Sequence, residues 1–279
     1  KIIVALTEIF NAVLRIQYFP IQCKFGQIIL IPKPGKPPQE AASYRPITLL
    51  SCLSKLLEKL ILKRLKPLIH EDITPDHQFG FREKHSTVEQ VHRIVKIIGN
   101  DLEEKRICSA VFLDIKQAFD TVWHIGLLHK IKKHLPHQYY LLFKSYLSER
   151  YFQVKQDQEL SEYYLIQAGV PQGSIMGPIL YQLYTADIPT TENTVTATFA
   201  DDTAILASHR DPLETTNRLQ SALNQINTWT EKWRVKINET KSAHVTFTLR
   251  HIDTPNVHLN GVIIPKQEKV KYLGIHLDR

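Results

Sequence analysis

The chain has 279 residues, 43% hydrophobic and 23% charged, which is ordinary for a soluble globular protein and long enough to bury a sizeable core as one large domain or two. No run approaches the roughly 18 uninterrupted apolar residues of a membrane span, and the N-terminus lacks the charged, apolar, small-residue order of a secretory signal. Lys plus Arg outnumber Asp plus Glu by 35 to 28, and the resulting net charge of +7 and pI near 9.2 favour polyanionic partners such as nucleic acid.

In chain order, Ile2, Leu6, Ile9, Val13 and Leu14 keep helical spacing, and the Phe19–Pro20 pair brings that helix to an end. A short strand over Gln27–Ile31 runs into PKPGKPP, a loop broken by four prolines and a glycine that presents Lys33 and Lys36 at its tip. From Leu49 to Leu65 the positions Leu49, Leu53, Leu56, Leu57, Leu60 and Leu65 predict one buried helical face, with Lys55, Lys59 and Lys63 forming a basic stripe on another. Ser86 followed by Glu89 matches a capping box, and Val88, Val91, Ile94, Val95, Ile98 and Leu102 supply the stripe of the helix it opens.

The run ICSAVFLD, Ile107–Asp114, is continuous and apolar, which predicts a buried strand with Asp114 at its C-terminal end. His124, His129, His134 and His137 fall on a basic, helical segment with no Cys or acidic partner at ligand spacing, and read as a solvated face. TVTATF and TAILAS flank Ala200, Asp201 and Asp202 and predict a β-hairpin. Leu219, Leu223, Ile226, Thr230 and Trp233 mark a further helix before the strand-like AHVTFTL and VKYLGIHL. Helices and strands alternate irregularly, so α+β is the expected class.

Cys23, Cys52 and Cys108 are far apart and odd in number, against both a disulfide framework and a CxxC zinc site, and a reducing compartment is the simplest reading. Met176 is the only methionine, so the chain is expected to be a segment of something longer. A carboxylate at the end of a buried strand and a carboxylate pair in a hairpin turn are what a divalent metal site needs, since hard Mg²⁺ prefers oxygen ligands. Two such ions about 4 Å apart clamp the attacking and leaving oxygens of a phosphoryl transfer. Asp–Asp in a turn is also ordinary turn chemistry, and spacing alone does not join Asp114 to Asp201.

FLDIKQAFDTVW, AGVPQGSIMGP and FADD occur in the order seen in reverse transcriptases, together with IPKPGK, SYRPITLLSCLSKLLEKLILKRL, HQFGFR with HST, and KYLGIHLD. This ordered set, which runs through almost the whole chain, resembles the reverse transcriptase domain of non-LTR retrotransposons, particularly the jockey-like elements of animals. The resemblance implies a right-hand polymerase fold, with 1–105 mainly fingers, 106–250 mainly palm, and 251–279 a primer-grip region leading toward a thumb outside the segment. It also implies an upstream endonuclease, and an RNA-directed DNA polymerase that extends a primer 3′-hydroxyl with dNTPs on an RNA template. The resemblance alone implies an intracellular location, in nucleus and cytoplasm.

Residue by residue, Asp114, Asp201 and Asp202 resemble the metal-binding aspartates for two Mg²⁺ ions, or Mn²⁺ in their place, and Ile115 would lend its backbone carbonyl. Phe199 stands where Tyr is commoner, and keeps the ring. Phe119 resembles the steric gate that excludes a 2′-hydroxyl, with a core Phe as the plainer reading. Gln172, in a loop whose Gly169, Pro171 and Gly173 permit a tight path, resembles the glutamine that helps hold the nucleotide. Ile175, Met176 and Gly177 depart from the residues usual after that loop.

Arg45 resembles the fingers arginine on the triphosphate, a role suited to its bidentate fork, and Lys33 and Lys36 lie on the fingertip loop. Lys241 resembles the general acid to pyrophosphate, a solvated lysine being the other reading. Phe79, Gly80, Phe81 and Arg82 resemble a template-contacting stretch, and Tyr272, Leu273 and Gly274 the primer grip, while core packing is the competing role for Phe79 and Phe81. Two alternatives stay open: a decayed or domesticated copy that only binds RNA, and an RNA-dependent RNA polymerase, which Phe119 disfavours because those enzymes place a second Asp there.

Overall fold

The computed structural model describes residues 1–69 and 73–279. In chain order its main elements are α1 (Ile2–Ile16), β1 (Phe25–Pro32), β2 (Tyr44–Leu49), α2 (Cys52–Leu65), α3 (Thr87–Glu103), β3 (Ile107–Leu113), α4 (His124–His134), α5 (His137–Leu147), β4 (Tyr151–Gln156), β5 (Glu159–Leu160) and β6 (Tyr164–Leu165). There follow α6 (Gly177–Thr185), β7 (Thr194–Phe199), β8 (Asp202–His209), α7 (Pro212–Trp233), β9 (Ala243–Phe247), β10 (His258–Leu259), β11 (Val262–Ile263), β12 (Lys269–Tyr272) and β13 (Ile275–Asp278). The α+β class expected from the sequence holds. No helix among the described residues is long and apolar enough to cross a membrane.

The chain divides into two compact units that interleave along the sequence: Lys1–Ile73 with Phe119–Tyr184, and Thr74–Ala118 with Thr185–Arg279. The first unit is built on a sheet ordered β2-β1-β4-β5, with β6 also pairing β4. β1 runs antiparallel to β2, Ile31 opposite Arg45, and parallel to β4, Phe25 opposite Tyr151. Strand β2 falls where the sequence led us to no strand, and Pro46 lies within it. As the end strand of its sheet β2 pairs with a strand on one side only, so the N–H that Pro46 lacks is tolerated there.

Helix α2 begins one turn later than Leu49, where the Ser51 hydroxyl accepts from Ser54 N–H. Its buried residues are Ser54, Leu57, Glu58, Ile61 and Leu65, whereas Leu49, Leu53, Leu56 and Leu60 are exposed, so the predicted apolar face is rotated from the real one. A leucine-rich helix offers more than one candidate stripe, and the true one is disguised by Ser54 and Glu58. Glu58 is fully enclosed, and its carboxylate accepts from the N–H groups of Ile175 (2.8 Å) and Met176 (3.2 Å) and from the Tyr146 hydroxyl (3.2 Å). His129, His134 and His137 are exposed as expected, but His124 is half-buried and bonded to the Gly169 carbonyl at 2.7 Å, so it does not belong to that solvated face.

The second unit is built on an antiparallel sheet ordered β7-β8-β3-β9. All seven residues of β3 are buried, because both sheet faces are covered. On one face Cys108, Ala110 and Phe112 pack with Val91, Ile94 and Ile98 of α3 and with Tyr272 and Leu277. On the other, Val111 and Leu113 pack with Leu219, Leu223 and Ile226 of α7. The Ser86–Glu89 capping box is present, with both reciprocal bonds. Val88 and Val95 are exposed and Leu102 only partly buried, while Gln90 and Asp101 take places in the buried stripe of α3.

VKYLGIHL is two strands and a turn, β12 and β13 closing on each other around Leu273 (φ 48°) and Gly274 (φ 89°). Two successive left-handed residues are what a two-residue hairpin turn of the right twist requires.

Candidate active site

The register of the second sheet brings the predicted carboxylates to one end of it. The last β3–β8 pair is Leu113 with Thr203, so Asp114 lies one step beyond, abreast of Asp202. The last β7–β8 pair is Phe199 with Asp202, which leaves Ala200 and Asp201 as a two-residue turn. Ala200 carries φ 57° there, a left-handed conformation that is costly for a residue with a Cβ.

All three aspartates are exposed residues. Partial desolvation of its carboxyl nonetheless pushes Asp201 up; a backbone N–H of its own residue works against the rise, and the charge of Asp114 adds to it. Burial, then Asp201, then Asp114 push Asp202 up to about 6. Asp201 and Asp202 therefore each feel the charge of a neighbouring carboxylate.

Among the described residues no three His, Cys, Asp or Glu side chains are drawn together as a ready metal cluster. Three carboxylates on one sheet end, all oxygen donors and mutually repelling, fit a hard divalent cation in chemistry and charge.

Asp114 is braced by the loop before β9. Its N–H donates to the Ser242 hydroxyl (3.1 Å), its carbonyl accepts from Asn238 N–H (2.7 Å), and Ile115 forms an isolated bridge with Ile237. Lys241 is an exposed residue of that same loop, next to Ser242, so the structure brings its backbone to the strand that carries Asp114.

The hairpin turn is braced from its other side by the segment His77–Gly80, which runs alongside β7. Thr198 N–H donates to the His77 carbonyl and Phe79 N–H to the Thr198 carbonyl, each at 2.9 Å. Gly80 lies so close to the turn that a Cβ there would fall 2.1 Å from Ala200 N, which accounts for the glycine. Phe79 is half-buried, its ring edge-on to His85 at 4.6 Å and 5.8 Å from the Arg93 guanidinium, whereas Phe81 is exposed and Arg82 pairs with Asp76 at 3.7 Å. Tyr272 is only 3% exposed, its ring packed against Phe112 at 5.3 Å, while Leu273 and Gly274 form the hairpin turn beside it. Burial and the charge of Asp202 push the Tyr272 hydroxyl up.

Arg45, Lys33, Lys36, Phe119 and Gln172 belong to the first unit. Arg45 is exposed on β2, Lys33 Nζ donates to the Ala42 carbonyl (2.8 Å), and Lys36 is exposed in the loop turn. The Gln172 carbonyl accepts from Thr48 N–H (2.7 Å), which ties its loop to β2. Gly173 has φ 116° and sits where a Cβ would fall 2.6 Å from the Thr48 carbonyl, so the tight path expected of this loop is real. Phe119 is half-buried and stacks on Tyr181 with ring centres 4.8 Å apart.

Five residues outside the recognised motif roles hold these loops and turns: Gln78 Oε1 accepts from Gly80 and Ala200 N–H, Gln90 Nε2 donates to the His77 and Thr198 carbonyls, Ser242 and Asn238 bond the backbone of Asp114, and Glu58 accepts from Ile175 and Met176 N–H. Gln90 and Glu58 leave one trace, a polar residue in a buried helical stripe. Gln78, Asn238 and Ser242 leave none.

The family described as "Reverse transcriptase (RNA-dependent DNA polymerase)" matches residues 31–277. The chain is 46% identical to "Probable RNA-directed DNA polymerase from transposon BS" of Drosophila melanogaster, over 100% of this chain and 32% of that protein. It is 47% identical to "RNA-directed DNA polymerase from mobile element jockey" of the same fly, over 98% of this chain and 31% of that protein. The chain thus spans about a third of the length of these curated relatives. Among solved structures, apo telomerase from Candida tropicalis truncated from its C-terminal domain superposes with a TM-score of 0.61 at 17% identity, covering 92% of this chain and 54% of that one, which shows a shared fold. With the family match running through most of its length, and with its aspartates gathered at one sheet end, the chain belongs to the reverse transcriptase family.

Proposed function

We propose that this chain is the polymerase segment of a non-LTR, jockey-like retrotransposon reverse transcriptase, copying RNA into DNA by extending a primer 3′-hydroxyl with dNTPs. The observation that carries the reading is the convergence of Asp114, Asp201 and Asp202 at one sheet end, in a chain 47% identical to the jockey polymerase. Reverse transcriptases use divalent metal ions; here Asp114, Asp201, Asp202 and the Ile115 carbonyl would hold two Mg²⁺, or Mn²⁺, which when bound activate the primer oxygen and neutralise the triphosphate.

The protein's own part is placement and charge. Arg45, with Lys33 and Lys36, binds the triphosphate, Gln172 orients the nucleotide, and Phe119 lies under the sugar and excludes a 2′-hydroxyl. Lys241 delivers a proton to the departing pyrophosphate. Phe79, Gly80, Phe81 and Arg82 meet the template, and the turn at Leu273–Gly274 meets the primer, Tyr272 acting as its buried anchor. Residues 1–105 serve as fingers, 106–250 as palm, and 251–279 as the primer-grip region. An intracellular site of action, in nucleus and cytoplasm, goes with this reading through the family alone.

Extension of oligo(dT) on poly(rA) with Mg²⁺ and dTTP tests it. The chain should extend the primer, and Asp201→Asn should reduce extension to background. Full activity in that variant would overturn the assignment, and primer–template binding without extension by the wild type would favour a copy that only binds RNA.

A further inference from the structure

We propose that Gln78 is a positioning residue for the Asp201–Asp202 turn, holding the strained Ala200 backbone through its side-chain oxygen. This deepens the polymerase reading and rests on it for its catalytic consequence.

Ladder pairing between β7 and β8 ends at Phe199 with Asp202, so the N–H of Ala200 lies beyond the last strand pair. Gln78 Oε1 takes it up at 3.1 Å, and the same oxygen accepts from Gly80 N–H at 2.8 Å. Gln78 is only 4% exposed, so its carboxamide has little solvent to turn to. One oxygen thereby ties the turn to the segment beside it, across 122 residues of sequence.

The clasp has a second layer. Gln90 Nε2 donates to both the His77 carbonyl (3.2 Å) and the Thr198 carbonyl (3.0 Å), and so fixes the ladder on which Gln78 stands. Ala200 holds φ 57° and is followed directly by the two aspartates, so the clasp acts on the peptide that aims them. An off-favoured backbone of this kind persists only where its surroundings over-determine it. Displacing a reacting group by about 1 Å can cost on the order of 10²-fold in rate, which makes the turn a place where one hydrogen bond has kinetic weight.

Hydrogen exchange at the Ala200 amide, read alongside steady-state kinetics of the full chain, tests this. Gln78→Met keeps the side-chain length and removes the acceptor. It should speed Ala200 exchange about tenfold while amides of β3 keep their wild-type rates, and lower kcat about 10- to 100-fold at unchanged KM for primer–template. Gln78→Glu keeps an acceptor and should retain the protection at Ala200. Trp229→Phe, which removes the indole bond to Asp187 elsewhere in the same unit, reports simple loss of stability. Wild-type Ala200 exchange in Gln78→Met, or a fall in kcat accompanied by faster exchange throughout β3 and β8, would overturn the proposal.

Should Gln78→Met fail to fold, the wild-type chain still decides the bond: the Ala200 amide, although beyond the last strand pair, should exchange as slowly as the paired amides of β7, and exchange at the rate of an open turn would overturn the clasp. A wild-type chain that extends no primer would sink the polymerase reading, while exchange at Ala200 would still decide the hydrogen bond.

Discussion

Asp202 carries its charge against its surroundings. Its ordinary pKa of 3.8 is pushed up to about 6 by burial and by two neighbouring carboxylates. An acid that binds its proton more tightly when folded makes the folded state less stable once that proton is gone. The penalty is absent below about pH 4, grows as pH rises toward 6, and is complete above that. Asp202→Asn should therefore raise the thermal midpoint of the metal-free chain at pH 8 and leave it unchanged at pH 4, with added Mg²⁺ narrowing the difference. Phe119 offers a test of a different kind: Phe119→Val should admit rNTPs more readily in a primer-extension assay, and unchanged sugar discrimination would remove the gate role. The aspartates were legible in the sequence because a charged end to an apolar strand and a polar hairpin tip are local patterns. Gln78 was not, since a side chain that bonds backbone 122 residues away leaves no periodicity to find.

Among the elements, strands were read more accurately than helical faces. β3 falls where a continuous apolar run bounded by charge predicts it, and β7 and β8 where two Thr-, Val- and apolar-rich runs flank a polar tip. α2 shows why a leucine-rich helix misleads. Leu57 is fully buried and Leu53 half exposed, though both were assigned to one face. Leu57→Ala should cost about 2–5 kcal/mol by chemical denaturation, and Leu53→Ala within about 0.5 kcal/mol of nothing, the reverse of what a Leu53-centred face would give. The buried face was concealed because Glu58 sits in it, and Glu58 is there to receive the N–H groups of Ile175 and Met176. A long-range polar partner can turn an acidic residue into a core position, and no helical period announces it.

For the molecule as a whole, a net charge of +7 and a family that works on nucleic acid make one expectation quantitative. Affinity for a primer–template duplex should fall as salt rises, with a log–log slope of about −0.9 for each phosphate neutralised on B-form DNA. A flat response in a fluorescence-anisotropy titration would argue against an electrostatic grip on the backbone. Composition made this much legible, whereas the interleaving of two units was hidden, because no linker or change of composition marks the three crossings between them.

The position of β3 has a consequence for how the protein is made. Its seven buried residues lie between β8 and β9, and both partners come from later in the chain. A ribosome adding about 5–20 residues per second needs several seconds to deliver β8, roughly ninety residues downstream. During that interval the most apolar strand of the second unit has two unsatisfied edges, a template on which nascent copies can pair with one another. Transcripts broken between the codons for Leu113 and Asp202 would yield chains that never acquire the covering strands, and such chains should accumulate as aggregates rather than as soluble half-enzymes.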